Sequence, residues 1–338
     1  MLRAGIIGCG GITERRHAPV LAGLSNLVSL VALSDVSEDR LDLIGDQYGV
    51  SKDHRYVDYE SMLKKESLDF VHICTPHHLH QPQAVAAMEA GTDVLLEKPI
   101  ATDLDEADCI MSAATRTGRR LTVSHNQLFR PLHQAVLACL SSGEIGRTFL
   151  VRSEGLSPKH VVGRGKDQNW RTSPTAGGGG PLIDNGYHQI YSAVDFLKSP
   201  AKRVFARVGR YVQEIDVEDT ALLLIEHEND ATTSVQVGWS AHAGGVRVEE
   251  IYGTEGQIRI GGDAPVSVWR KHTGEWEALS IEEEGHDEVG FPSLARAFVN
   301  AISGKEEVPV SAGDARHVLS IIRSAYESGR TGQPVDVL

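Results

Sequence analysis

The chain has no apolar run long enough to cross a bilayer, and no Lys/Arg cluster interrupts its acidic balance of 33 Lys and Arg against 46 Asp and Glu. The first absence excludes a helical membrane span. The second, with a formal net charge of -13, argues against nucleic acid or an anionic membrane as the main partner. Cysteine is scarce: Cys9, Cys74, Cys109 and Cys139 are scattered without a C-x-x-C pair. Neither a disulfide framework nor a structural zinc site is indicated, and the four read as small core residues. No charged leader or cleavage-type segment precedes the first apolar run, which points to a cytoplasmic protein. Internal repeats and low-complexity tails are also missing.

What is present begins at once. Leu2 to Ile7 is an apolar run, followed by Gly8-Cys9-Gly10-Gly11-Ile12-Thr13 and a helical pattern with Ala18, Leu21 and Leu24. Strand, glycine turn and helix in this order are the context of a dinucleotide fingerprint. Gly8 allows the tight turn, Gly10 lets the backbone approach a pyrophosphate, and the helix start offers free N–H groups. Thr13 replaces the third glycine of the pattern, a bulkier residue at the strand–helix contact. Asp35 ends the second strand, Ser29 to Ser34, where a carboxylate can accept both adenosine ribose hydroxyls and would repel the extra phosphate of NADP. NAD is therefore the expected cofactor and NADP the less favoured one; Arg40, in the next helix, is counted with the cofactor residues. The other reading of Asp35 is a cap on that helix.

Strands and helices alternate to about residue 124, as in a doubly wound parallel sheet, with further strands at Phe70 to Cys74, Asp93 to Leu96 and Leu121 to Ser124. Beyond it, β-branched and alternating stretches between Thr148 and Trp269 predict a large, mostly antiparallel sheet, which the resemblance given below implies is open. Helices are expected at Pro131 to Leu140, Ser293 to Ala301 and Ala315 to Tyr326. The predicted organisation is an α/β nucleotide-binding domain over 1–124 and an α+β domain over 125–338; the resemblance given below implies that the second binds substrate and oligomerises.

Two constellations carry chemistry. Glu97-Lys98-Pro99 follows the strand Val94 to Leu96, and the carboxyl ends of strands in an open α/β sheet face the ligand crevice, so Lys98 is a candidate catalytic cation. Gly177 to Gly180 is a run of four glycines, permitting close backbone approach or a mobile loop. It leads to Asp184 and His188, four apart and on one face of any helix that starts there. An aspartate that holds an imidazole tautomer, with a lysine from another segment, makes a proton-transfer set. The cluster Thr75-Pro76-His77-His78-Leu79-His80 invites a metal, but three histidines in a short loop without ligating cysteines suit zinc poorly. No metal is expected, and this loop reads as lying against the cofactor.

In order along the chain, these segments resemble the Gfo/Idh/MocA family, the glucose–fructose oxidoreductase and inositol dehydrogenase group. The matching pieces are Gly8-Cys9-Gly10-Gly11-Ile12, the Asp35 ending, Thr75-Pro76 with His80, Ala90-Gly91 leading to Glu97-Lys98-Pro99, Asn126 with Phe129 and Pro131, Ser142-Gly143-Glu144-Ile145-Gly146, Trp170-Arg171, and the glycine run with Asp184 and His188. The resemblance implies a Rossmann domain, an open C-terminal sheet used in homodimer or homotetramer contacts, and NAD(P)-dependent chemistry on a sugar or polyol. By position, Lys98, Asp184 and His188 correspond to the catalytic residues. Gly8, Gly10, Gly11, Ile12, Asp35, Arg40, Thr75, Pro76, His80, Glu97, Lys98 and Asn126 are assigned to the cofactor. His125, Trp170, Arg171, Asp184, His188 and Tyr191 are assigned to the substrate. Two positions depart from the family: Leu128 stands where arginine is common, and Tyr191 where aspartate is. The expected activity is hydride transfer between a secondary hydroxyl of a sugar, glycoside or polyol and nicotinamide. Two alternatives stay open, a glycosidase that uses transient oxidation and elimination, and a non-catalytic NAD-sensing regulator.

Overall fold

The computed structural model describes residues 1–158, 169–281 and 289–338. The chain forms two compact units, one of Met1–Asn126 with Val289–Arg316 and the other of Gln127–Glu288 with His317–Leu338.

The first unit is built on six parallel strands, β1 (Leu2–Ile7), β2 (Val28–Ser34), β3 (Arg55–Tyr56), β4 (Phe70–Ile73), β5 (Asp93–Leu96) and β6 (Leu121–Val123). Their order across the sheet is β3-β2-β1-β4-β5-β6, so the strand order reverses between β1 and β4, where such sheets bind ligands. Every residue of β4 and β5 is buried, which is why these strands read as continuous runs rather than alternations. Helices start where the sequence supplies caps: Ser37, Asp58 and Asp103 each accept a backbone N–H of the first turn of the helix they precede. Gly49 and Gly118 end two of those helices with φ of 72° and 66°, backbone that glycine adopts without strain.

The expected division at 124/125 with all later residues in one domain is corrected by the return of 289–316. The helix Phe291–Ile302 contributes Ala295, Phe298 and Val299 to the core around Ile6, Leu33, Phe70 and Leu95. Phe298 meets Phe70 edge to face at 5.7 Å between centroids. Thr122 and Val310 exchange two hydrogen bonds, of 2.9 and 3.1 Å. Arg316 holds Asp108 through both carboxylate oxygens, at 2.5 and 3.0 Å.

The second unit carries nine strands, β7 (Thr148–Leu156), β8 (Ala201–Gly209), β9 (Thr220–His227), β10 (Thr232–Gly238), β11 (Val246–Gly253), β12 (Gly256–Ile260), β13 (Val266–Arg270), β14 (Trp276–Ala278) and β15 (Val335–Asp336). They lie in the order β14-β13-β12-β11-β7-β10-β9-β8-β15, antiparallel except that β7 and β10 run parallel at the centre. One face packs on the helices Pro131–Ser141 and Tyr187–Leu197 through Val136, Val151, Phe196, Ile251 and Val268. The other face exposes Leu222 and Leu224, as the strict in–out alternation of β9 dictates. Cys9, Cys74 and Cys139 are buried free thiols, but Cys109 is exposed, contrary to a core role for all four. No helix among the described residues is long and apolar enough to cross a membrane.

Candidate functional site

At the carboxyl end of β1 the glycine loop is shaped by what it touches. Gly8 has φ of 95°, and a Cβ there would sit 2.8 Å from the Cys74 backbone just beyond β4. This glycine serves close strand packing as well as the turn. A Cβ on Gly10 would meet nothing within 4 Å, which leaves open space over the backbone where a diphosphate can approach. Thr13, in place of a third glycine, is fully buried and returns its hydroxyl to the Gly8 carbonyl at 2.5 Å, so the bulkier residue locks the turn. Gly11 and Ile12 lead into a π-type turn, Thr13–His17, in which the Glu14 N–H returns to the Gly10 carbonyl at 3.1 Å; a helix start of this kind favours an anion.

Asp35 accepts the Cys9 N–H at 2.6 Å on one oxygen and the Ser37 N–H at 2.9 Å on the other. It is not the helix cap, which is Ser37. A carboxylate has about four acceptor positions, so the pair of loop contacts fixes Asp35 while leaving it able to receive ribose hydroxyls. Arg40 is tied to the Cys9 carbonyl at 2.8 Å and to Glu14 at 2.8 Å.

Lys98, half-buried, follows β5, and its bond to Pro99 is cis. Glu97 and His80, both assigned to the cofactor, also make contacts that fix this segment. Glu97 meets Nε2 of His17 at 2.8 Å, and Nδ1 of His17 meets Nδ1 of His72 at 3.1 Å. Burial opposes the charge of Glu97, but the hydrogen bond and charge of His17 prevail and hold its carboxyl below the usual range. His80 is fully buried between the Pro99 carbonyl at 2.7 Å and the Thr75 carbonyl at 3.1 Å, where burial lowers its pKa. Its ring ties the segment after β4 to the segment after β5. Asn126 gives its amide to the Val289 carbonyl at 2.6 Å. The Thr75 hydroxyl binds Gln83 at 2.6 Å, and Pro76 is half-buried beside it. In the histidine loop His77 and His80 are buried while His78 is exposed. Among the described residues no three metal-ligating side chains converge.

In the second unit the glycine run is a packing device. A Cβ on Gly179 would collide with the Tyr326 hydroxyl, and one on Gly180 with the Glu218 carbonyl. The Glu218 carboxylate receives the N–H groups of Gly180 and Leu182 at 2.9 and 3.0 Å and the Tyr326 hydroxyl at 2.9 Å. A carboxylate on these first donors fixes the start of the following helix. That helix opens with a π-type turn, Leu182–Gly186, holding Asp184, and continues as Tyr187–Leu197 with His188 and Tyr191.

Asp184 is buried and pairs with Arg171 at 3.3 Å, whose guanidinium lies 4.2 Å from the centroid of the Trp170 ring. Nδ1 of His188 lies 2.7 Å from the Tyr191 hydroxyl, which also accepts the Gln127 N–H at 3.2 Å. Tyr191 thus holds the imidazole, a role the sequence does not announce because i and i+3 neighbours are common on any helix. His188 lines a cavity of about 540 Å³ within this unit, with Gln127, Ser153, Asn185, Gln189 and Glu249 among its walls. His125 is buried in the first unit.

Residues 2–125 match an oxidoreductase family described as having an NAD-binding Rossmann fold, and residues 133–259 match the Gfo/Idh/MocA C-terminal domain. The chain belongs to the Gfo/Idh/MocA oxidoreductases. Full-length relatives in this family include the D-glucoside 3-dehydrogenase of Escherichia coli K12, 25% identical over 357 residues, covering 99% of this chain and 97% of the relative. The D-apiose dehydrogenase of Paraburkholderia graminis is 26% identical over 354 residues, covering 99% and 89%. Among solved structures, an oxidoreductase from Agrobacterium radiobacter in complex with NAD+, L-tartaric acid and magnesium superposes with a TM-score of 0.85 at 24% identity, covering 99% of this chain and 98% of that one. The first unit of this Gfo/Idh/MocA chain fits NAD: open backbone at Gly10, a helix start beyond Ile12, and a carboxylate at Asp35 with acceptor capacity to spare.

Proposed function

We propose that the chain is an NAD-dependent dehydrogenase moving a hydride between a secondary hydroxyl of a sugar, glycoside or polyol and nicotinamide. The observation that carries the reading is an imidazole with one nitrogen engaged by Tyr191 and its ring on the wall of a polar cavity, in a chain of this family. Bound NAD supplies the hydride acceptor. The residues handle the proton. With Nδ1–H of His188 given to the Tyr191 oxygen, Nε2 keeps its lone pair and takes the hydroxyl proton as general base. Lys98 supplies a fixed positive charge to the reacting oxygen, stabilising the negative charge that develops there. Asp184, neutralised by Arg171, steadies the helix turn from which His188 projects. Relatives named for a D-glucoside and for D-apiose support a sugar as substrate.

The same reading places the protein in the cytoplasm, where reducing conditions suit four unpaired thiols. The exposed Leu222 and Leu224 on the open sheet face support self-association as a homodimer or homotetramer. The test is NADH absorbance while protein and NAD are offered inositols, free aldoses and glycosides. A rise with one substrate class is expected, falling about 10²–10³-fold in Lys98→Ala with NAD affinity kept. Tight NAD binding without NADH from any sugar, and without sugar-ketone reduction in the reverse direction, overturns the proposal.

A further inference from the structure

Two neighbouring glutamates on β11 are treated in opposite ways. Glu250 lies on the outer face of the sheet and is saturated: Arg152 reaches it at 3.2 Å, Arg259 at 3.1 Å and the Tyr252 hydroxyl at 2.7 Å. Glu249, one residue earlier, points to the opposite face, in register with Ser153 of β7 and on the wall of the cavity that contains His188. Among the described residues no hydrogen bond or ion pair reaches its carboxyl. Burial raises its pKa, and the charges of Arg247, His133 and Arg130 pull it only part of the way back. A half-buried carboxyl on a cavity wall, met by no donor among the described residues, is open to a ligand that carries donors.

The rest of the wall fits such a ligand. Asn185 accepts the Trp239 indole N–H at 2.7 Å through its oxygen, which commits its amide group to donating. Gln189 is fixed to the Ser153 hydroxyl at 3.0 Å. Arg247 is exposed at the rim. Among the described lining residues, amides, serine hydroxyls and the Glu249 carboxyl complement a polyhydroxylated ring, and a volume of about 540 Å³ accommodates one with a modest substituent.

We propose that Glu249 is a substrate-recognition residue, whose carboxylate accepts hydrogen bonds from two adjacent hydroxyls of an uncharged sugar ring or glycoside and disfavours sugar acids. The inference rests on the dehydrogenase reading for its choice of ligand. Geometry supplies the rest: two carboxylate oxygens span vicinal hydroxyls, and hydrogen bonds to a charged acceptor are the stronger kind. A uronate would bring a second carboxylate into a cavity where like charges repel.

The probes are methyl β-D-glucopyranoside and its C6-oxidised counterpart, the methyl glucuronide, titrated calorimetrically into the NAD-loaded protein and assayed in parallel for NADH formation. The wild type is expected to bind the glucoside at least about tenfold more tightly than the glucuronide. Glu249→Gln should weaken the glucoside about tenfold and narrow the gap between the two by a similar factor, with NAD affinity unchanged. Glu249→Asp, which keeps the charge but withdraws it, should lose glucoside affinity while still rejecting the glucuronide. Glucoside binding that follows this pattern supports Glu249 whether or not NADH forms; the dehydrogenase reading is overturned separately, when neither this glucoside nor the wider sugar panel yields NADH and no sugar ketone is reduced. NADH formation from both sugars alike, a Glu249→Gln profile within about twofold of wild type, or failure of the wild type to bind either sugar overturns the role of Glu249.

Discussion

On one side of His17 lies the Glu97 carboxylate and on the other the ring of His72, with Cys74 close by and the Phe291 ring 5.3 Å away edge-on. Burial alone would keep His17 neutral, yet Cys74 and Glu97 draw its pKa up to about 10 from an ordinary 6.5. The positive charge of Glu97's partner therefore persists across neutral pH. His17 then donates through both nitrogens, while His72, driven the other way by burial and by the charge beside it, accepts at Nδ1. Its Nε2 has no hydrogen-bond partner among the described residues. A raised histidine pKa stabilises the fold fully below 6.5, and that contribution fades as pH climbs through about 10. The depressed Glu97 contributes above its ordinary 4.5 and loses its part as pH falls through its lowered value. His17→Gln is expected to lower the melting temperature most between about pH 5 and 6.5, with the gap to wild type closing toward pH 10. A gap that stays constant with pH would show that the pair is not ionised.

At the scale of elements, the helix that bears Asp184 and His188 is positioned from its first turn. Glu218 holds the donors at Gly180 and Leu182, and the glycine run lets Tyr326 and Glu218 approach. Gly180→Ala has to push the Glu218 backbone away, at about 1–3 kcal/mol, and is expected to reduce both melting temperature and turnover. Loss of turnover with an unchanged melting temperature would contradict a packing role. The glycines were legible as a site of close approach, though the alternative of a mobile loop was equally compatible with composition. The strands of the first unit were legible because buried parallel strands are continuous apolar runs, and those of the second because one-sided burial imposes alternation. Short β3, β14 and β15 escaped, since two or three residues carry no period and only pairing with distant partners defines them. The chemistry divided similarly. Lys98, Asp184 and His188 sit in recognisable local contexts, but the contacts of His17 with Glu97 and of His80 with Pro99 span 80 and 19 residues. No spacing rule reaches that far.

At the scale of the molecule, the sequence predicts a helix over Ser293 to Ala301 but not its destination. An apolar stripe says that a helix is buried, not against what. The structure assigns it to the first unit, whose core takes Ala295, Phe298 and Val299 from a segment separated from the sheet by the whole of residues 127–288. A fragment ending at Asn126 is expected to bind hydrophobic dyes and to melt without cooperativity. Adding 289–316 through a short linker should restore a sharp transition; a cooperative fragment without that addition would show the helix to be dispensable. During synthesis the consequence is a waiting period. At ~5–20 residues per second, the nascent nucleotide-binding sheet leaves the ribosome roughly ten to thirty seconds before the helix that seals it, with the Phe70 side of its core open to chaperones in the interval.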